Sequence, residues 1–282
     1  MIVDAHQHFW DLDKVAYPWL TPDQGVLHRT YQPEDLLPEL RAAGVDRTVL
    51  GQAADSYEET DAMLALADEH AFIAGVVGWV DLTDPAEAAR AIERYRQHPR
   101  FVGVRHLIHE EPDPDWLVRD GVLESLGLLA EAGLVFDVVS LLPRHLDHVV
   151  TVAERHPGLK LVIDHLSKPR IKDHEWEPWA GGIAAAAACP NVCAKVSGLV
   201  TEADHENWTV ADLRPYVEHA VEGFGTGRLM FGSDWPVVLQ AADYQTVFHV
   251  SHALLGGPGQ EEVFGGVAAR VYGLDLGVRG QE

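Results

Sequence analysis

Two histidines near the start of the chain have the spacing of a ligand pair. His6 and His8 end the run IVDAHQH, which begins as an apolar strand at residue 2. Successive side chains of a strand point to opposite sides, so Asp4, His6 and His8 are expected to point the same way. Two imidazoles placed in this manner can bind one metal ion or polarise one carbonyl oxygen.

Two further candidates follow apolar runs later in the chain. His165 lies near the end of the run 160–166, and Asp234 ends the run that begins at Leu229. A carboxylate at such a strand end can ligate a metal and accept a proton from an attacking water. The alternatives are a structural role for the histidine and, for the aspartate, a turn cap before Pro236.

Other polar and aromatic residues near strand ends are predicted to bind substrate. Lys195 interrupts an apolar run, where a lysine is rare unless it is paired or functional, so it either binds a substrate anion or pairs with Asp137. Arg105 and His106 are adjacent on one predicted strand, so one of them is expected to face the site and the other the surrounding helices. The alternative for Arg105 is a salt bridge, and the alternative for Trp79 and Trp235 is packing within the loops. The predicted set is Arg105, His106, Lys195, Trp79, Trp235 and His174.

Eight short apolar runs, rich in residues that favour β-strands, must position these residues. They cover residues 2–8, 47–52, 73–80, 102–107, 135–139, 160–166, 192–199 and 229–234. Helical patterns fill the gaps between them, and the centres of the runs lie roughly 25 to 45 residues apart, as expected for strand, loop and helix in alternation. The pattern predicts an α/β fold, a (β/α)₈ TIM barrel, as a single domain over residues 1–282. Active sites of such barrels lie at the carboxyl ends of the strands.

The composition excludes several classes of function. The chain has 44 acidic and 21 basic side chains and a formal net charge of −23, which disfavours nucleic acid and anionic membrane surfaces as partners. No apolar run approaches the ~20 residues of a membrane span, and no signal-peptide pattern is present. Cys189 and Cys193 fit neither a disulfide framework nor a standard zinc motif. We expect a cytoplasmic protein that acts on a small molecule.

Five motifs, in this order, carry a resemblance to a known family. They are DAHQHFW, GVRHL, IDHLSKP, AKVSGLVTEA and FGSDWP. Together they resemble the amidohydrolase superfamily, and within it the lactonase-like branch that contains lactonases of sugar acids and of pyrone dicarboxylate. The resemblance extends from Ile2 to about Leu274. It implies a distorted (β/α)₈ barrel and hydrolysis of a cyclic ester.

The resemblance assigns roles to four residues. His6 and His8 match the first-strand histidines of the family, His165 matches its sixth-strand histidine, and Asp234 matches its general base. Many amidohydrolases also have a bridging carboxylated lysine or another ligand near the fourth or fifth strand, whereas Asp137 here lies too far inside its run. A binuclear centre is therefore not expected, and the branch implies either one divalent metal, most readily zinc, held by His6, His8, His165 and Asp234, or no metal.

The resulting hypothesis is water attack on a lactone, most readily a sugar-acid lactone. Asp234 would take the proton from water, and the three histidines, alone or through the metal, would polarise the carbonyl. Arg105 and Lys195 would orient the ring. The alternatives are a metal-dependent non-oxidative decarboxylase, or another amidohydrolase reaction on a small carboxylated ring, and a catalytically silent barrel that serves as a binding module. A homodimer is compatible with the sequence.

Overall fold

The computed structural model describes residues 1–277 and has eight parallel strands that alternate with helices. The strands pair in sequence order in one sheet, so the predicted (β/α)₈ barrel is confirmed. Residues 278–282 of the predicted domain lie outside the described residues. The strands are β1 Val3–Gln7, β2 Arg47–Gly51, β3 Ile73–Gly78, β4 Phe101–His106, β5 Val135–Val138, β6 Lys160–Ile163, β7 Val192–Val196 and β8 Leu229–Phe231.

The helices begin and end at residues that suit helix termini. Ser56, Asp84 and Asp243 each precede a helix and accept a hydrogen bond from a backbone N–H of its first turn. Gly44 and Gly133 end two helices in the left-handed conformation, with φ of 69° and 72°. None of the described helices is long and apolar enough to cross a membrane. The helices are α1 Pro33–Ala43, α2 Tyr57–Glu69, α3 Pro85–Tyr95, α4 Asp120–Ala132, α5 Pro143–Arg155, α6 Trp179–Ala187, α7 Val210–Phe224, α8 Tyr244–Leu255 and α9 Val267–Tyr272.

Two apolar clusters form the core. The larger one lies between the sheet and the helices and includes Leu161 and Ile163 of β6. The smaller one consists mainly of valines from the strands, including Val162, and is joined by Val271 and Tyr272 of α9, which packs under the barrel. Because side chains alternate along a strand, the residues of β6 divide between the two clusters.

The barrel closes through the backbone of candidate site residues. The amide of Asp234 donates to the carbonyl oxygen of His6 at 2.8 Å, and the amide of His8 donates to that of Trp235 at 2.7 Å. These bonds replace a regular ladder between β8 and β1, and the pairing of β1 with β2 also shifts register between Asp4 and Gln7. The irregular closure is consistent with the distorted barrel that the family resemblance implies.

Several strands end earlier than predicted, because the site residues leave the sheet. β6 ends at Ile163, two residues before His165, and β8 ends at Phe231, three residues before Asp234. The expectation that Asp4 points the same way as His6 is wrong. Its carboxylate accepts a hydrogen bond from Tyr244 of α8, on the helix side, which is consistent with the shift in register within β1.

The inner cluster predicts a large loss of stability when it is truncated. Met230 of β8 is fully buried there, so Met230→Ala should lower the free energy of unfolding by about 2–5 kcal/mol, measured by urea denaturation. Val26→Ala is the control, because Val26 is 50% exposed and should change stability by less than about 0.5 kcal/mol. Equal small effects of both substitutions would contradict the assignment of this cluster to the core.

Candidate active site

A pocket opens at the carboxyl ends of the strands, where the sequence placed the site. Its cavity measures about 200 Å³, a size that suits one small ring. Polar and apolar side chains share its wall. The lining residues are His8, Trp10, Trp19, Gln24, Ala53, Arg105, Leu107, His109, Glu110, Val139, His165, Lys168, Asp234 and Val237.

Three predicted residues converge at this pocket, and two of them, His8 and Asp234, form part of its wall. Oδ1 of Asp234 lies 3.6 Å from Nε2 of His6 and 3.5 Å from Nε2 of His8. All three side chains are buried, and Nε2 of His6 finds no hydrogen-bond partner among the described residues. The spacing exceeds an ordinary hydrogen bond and is close to the separation of two ligand atoms on a tetrahedral zinc, about 3.3 Å.

The hydrogen bond at the outer nitrogen of His8 also favours a metal site. Nδ1 of His8 lies 2.8 Å from the carbonyl oxygen of Gly51, an acceptor that keeps the proton on Nδ1 and leaves a lone pair on Nε2. A buried acceptor set of two imidazoles and one carboxylate therefore fits a divalent cation. His165 lies at the edge of this set, since its Nδ1 is 3.8 Å from Oδ2 of Asp234 and 2.9 Å from Oγ of Ser197.

His165 and Asp234 both have a backbone conformation that is unusual for residues with a side chain. Their φ angles are 53° and 60°, and residues 166–168 continue the positive φ. His165 shares its sequence parity with Leu161 and Ile163, which face the helices, so regular strand geometry would point it away from the site. The left-handed turn brings it to the pocket instead. Trp179 supports the turn by donating from Nε1 to the carbonyl of Leu166 at 2.6 Å.

Asp164 was missed by the sequence analysis and lies at the centre of a buried polar network. Its carboxylate accepts from Nε of Arg105 at 2.7 Å and lies 3.0 Å from Nζ of Lys195 and 3.4 Å from Nδ1 of His6. Asp164 lies two residues after Val162, whose side chain faces the barrel interior, and this alternation could have predicted that Asp164 points the same way. The network links β1, β4 and β7 to the end of β6.

Burial and neighbouring charge set the ionisation of these groups. Burial lowers the pKa of His6 and of His165 well below the usual value, so both imidazoles are neutral. Burial would raise the pKa of Asp164, but Lys195, His6 and Arg105 hold it well below its usual range. Burial likewise opposes ionisation of Asp234, and the surrounding polar and cationic groups, Lys168 among them, outweigh it and lower its pKa. Both aspartates are carboxylates at neutral pH.

Only one of the six residues predicted to bind substrate lines the described pocket. Arg105 faces it, as expected for one of two adjacent strand residues. Lys195 is 1% exposed and forms an ion pair with Asp137, which is the alternative left open by the sequence. His106 faces outward and stacks on Trp116 at 3.9 Å.

The two predicted tryptophans pack against other side chains, and the remaining histidine is exposed. Trp79 donates from Nε1 to Nδ1 of His106 at 2.9 Å, outside the pocket. Trp235 is buried against Phe9 and Tyr31. His174 is exposed and does not belong to the pocket wall within residues 1–277. None of these three residues belongs to the pocket wall formed by residues 1–277, so a role for them in binding substrate stays a prediction.

Other residues form the wall in their place. Trp10 and Trp19 pack edge to face at 5.5 Å, and Trp19 is fixed by a 2.7 Å hydrogen bond to the carbonyl of Ala53. Lys168 reaches the pocket from the left-handed turn and pairs with Glu202 at 2.6 Å. The tryptophans follow the first-strand histidines in sequence, which was a usable signal, whereas the turn that positions Lys168 has no simple sequence pattern.

The sequence matches the amidohydrolase family over residues 3–274. The chain belongs to this family. It is 37% identical over 282 residues to L-fucono-1,5-lactonase of Burkholderia ambifaria, with 97% of this chain and 96% of the relative covered. It is 36% identical over 286 residues to L-fucono-1,5-lactonase of Burkholderia multivorans, with 96% of each covered.

A solved structure agrees with these relatives. An amidohydrolase from Burkholderia multivorans, crystallised with bound zinc, has a TM-score of 0.89 and 34% identity. The alignment covers 97% of this chain and 99% of that one. The resemblance inferred from the five motifs is therefore confirmed at the level of the family.

The close packing around Asp234 predicts that a single methyl group at Gly198 disrupts the site. A Cβ there would lie 2.8 Å from both Oδ2 of Asp234 and Nδ1 of His165, and Gly198 has a φ of 61°. Gly198→Ala should therefore lower kcat at least about 100-fold, since misplacement of reacting groups by about 1 Å has effects of this size. Gly158→Ala is the matched control, because a Cβ added there would have no atom of residues 1–277 within 4 Å apart from its own chain neighbours. Parental kcat in a folded Gly198→Ala protein would contradict the geometry.

Proposed function

We propose that this protein is a lactonase that opens a sugar-acid lactone by hydrolysis, with L-fucono-1,5-lactone as the first substrate to test. The observation that carries the proposal is the convergence of Asp234, His6 and His8 at a pocket of about 200 Å³. The two lactonase relatives support ring opening over the decarboxylase and the silent barrel. A cytoplasmic location and a homodimer stay predictions from the sequence.

His6, His8 and Asp234 would hold the divalent metal, with zinc favoured by the imidazole and carboxylate donors. When bound, such an ion acts as a Lewis acid toward a carbonyl oxygen or a water. His165 lies next to this set but is directed by Ser197, so we place it at the edge of the site. It would contact substrate or water as a neutral imidazole.

Asp234 is the general base. Its carboxylate is ionised at neutral pH and lies at the pocket wall, where it can take a proton from a water that attacks the lactone carbonyl. When the tetrahedral intermediate collapses, the ring C–O bond breaks and the protonated Asp234 returns its proton to the leaving alkoxide. The product is a hydroxy acid, which ionises at neutral pH and releases one proton to the solution.

The pocket wall fits a neutral, hydroxylated ring better than one with free carboxylates. Arg105 is already neutralised by Asp164, and Lys168 by Glu202. Both cations can still donate hydrogen bonds to ring hydroxyls, while Trp10 offers an apolar face at the pocket wall. This arrangement favours a sugar lactone over a dicarboxylated pyrone.

The assignment of the base predicts the effect of a nearly isosteric substitution. Asp234→Asn should lower kcat for the lactone by about 10²–10⁴, because the amide cannot accept the proton from water. Acid release followed with a pH indicator measures the rate, and circular dichroism checks the fold. Asp173→Asn is the control, since Asp173 lies on the surface beside Arg170. Parental turnover by Asp234→Asn would show that another group is the base.

The proposed ligand set predicts one metal ion per chain. After zinc loading and desalting, elemental analysis should give about one zinc per chain, and His8→Ala should lose most of it because one of three protein ligands is removed. His174→Ala is the control, since this histidine is exposed. Equal zinc content in His8→Ala and in the parent would place the metal elsewhere.

A further inference from the structure

The inner nitrogen of His6 has two neighbours of opposite hydrogen-bonding character. Nζ of Lys195 lies 2.9 Å away and can only donate, because a lysine ammonium has no acceptor. Oδ1 of Asp164 lies 3.4 Å away and, as a carboxylate, can only accept. The two groups therefore demand opposite protonation states of the same nitrogen.

A neutral imidazole carries one N–H proton, so the protonation of Nδ1 decides whether Nε2 has a proton or a lone pair. If Nδ1 accepts from Lys195, the proton is on Nε2, which cannot then bind a metal. If Nδ1 donates to Asp164, Nε2 has a lone pair that faces Asp234 and His8. Lys195 and Asp164 thus compete for the tautomer of His6.

Lys195 is held firmly in this position. It also pairs with Asp137 and lies 3.0 Å from Oδ1 of Asp164, and Asp137 accepts hydrogen bonds from the hydroxyl of Tyr272 at 2.8 and 2.9 Å. Its side chain is 1% exposed, so it has no access to a ligand in the pocket. Every polar neighbour found for its ammonium in the described part of the chain belongs to this buried network.

We propose that Lys195 is a positioning residue that keeps the proton of His6 on Nε2, and that it thereby weakens metal binding while supporting catalysis without metal. This inference rests on the proposed ligand set of His6, His8 and Asp234. In the metal-free protein, Nε2 of His6 then carries a proton 3.6 Å from Oδ1 of Asp234, a separation beyond hydrogen-bond distance at which the N–H dipole still favours the ionised carboxylate of the base. Metal binding requires the other tautomer, in which Asp164 accepts from Nδ1.

The experiment removes Lys195 together with the charge of its partner. Lys195→Met alone would leave Asp137 unpaired in the interior, so the double variant Lys195→Met, Asp137→Asn keeps the buried charge balanced. Zinc affinity is measured by competition with a chelating dye, and kcat and KM for L-fucono-1,5-lactone are measured on chelator-treated protein. Tyr272→Phe is the matched control, because it disturbs Asp137 without contacting His6.

In the double variant, zinc affinity and metal-free kcat should change in opposite directions. The double variant should bind zinc at least about 10-fold more tightly, and its metal-free kcat should fall at least about 10-fold with KM within about twofold of the parent. Asp164→Asn should shift the balance the other way and bind zinc at least about 10-fold more weakly. Tyr272→Phe should lower the unfolding temperature and leave the zinc affinity within about twofold.

Several results would overturn the inference. Unchanged zinc affinity in a folded double variant would make Lys195 a purely structural residue, and a raised KM alone would make it a substrate ligand. Absence of zinc binding in both proteins would overturn it as well. Zinc binding is read without lactone, so a failure of the inference is distinguishable from failure of the proposed lactonase activity.

Discussion

The carboxylate of Asp164 is the group on which the geometry of the site depends. It is fully buried and is shared by Arg105 of β4, Lys195 of β7 and His6 of β1, so one side chain ties three strands to the end of β6. Removing one member of such a buried set leaves an uncompensated charge and typically costs 3–5 kcal/mol. The network therefore fixes His6 before any metal or substrate is present.

This rigidity explains how the site tolerates strained backbone. His165 and Asp234 have positive φ, which costs roughly 1–2 kcal/mol for each residue with a side chain. Neither residue can relax, because the amide of Asp234 is bonded to His6 and the turn after His165 is held by Trp179. The strain directs an imidazole and a carboxylate into the same small volume, where regular strands would have separated them.

Sequence reasoning was sufficient for the type and order of the elements, although β6 and β8 end before the residues predicted to end them. Strand and helix alternation, the paired histidines and Asp234 all follow from local patterns, since each is encoded within a few residues. The direction of His165 was not predictable, because it depends on a left-handed turn rather than on strand parity. For Lys195 and the tryptophans, the sequence left both a binding role and a packing role open, because whether a side chain faces a ligand or a neighbour is decided by residues far apart in sequence, such as Asp164 for Lys195.

The most direct test of the proposed metal and substrate site is a crystal structure of the zinc-loaded protein with the hydroxy acid product bound. We expect one metal on Nε2 of His6, Nε2 of His8 and the carboxylate of Asp234, with the product carboxylate beside Asp234 in the pocket. A metal held instead by Asp164, or product bound outside the pocket formed by Trp10 and Arg105, would contradict it.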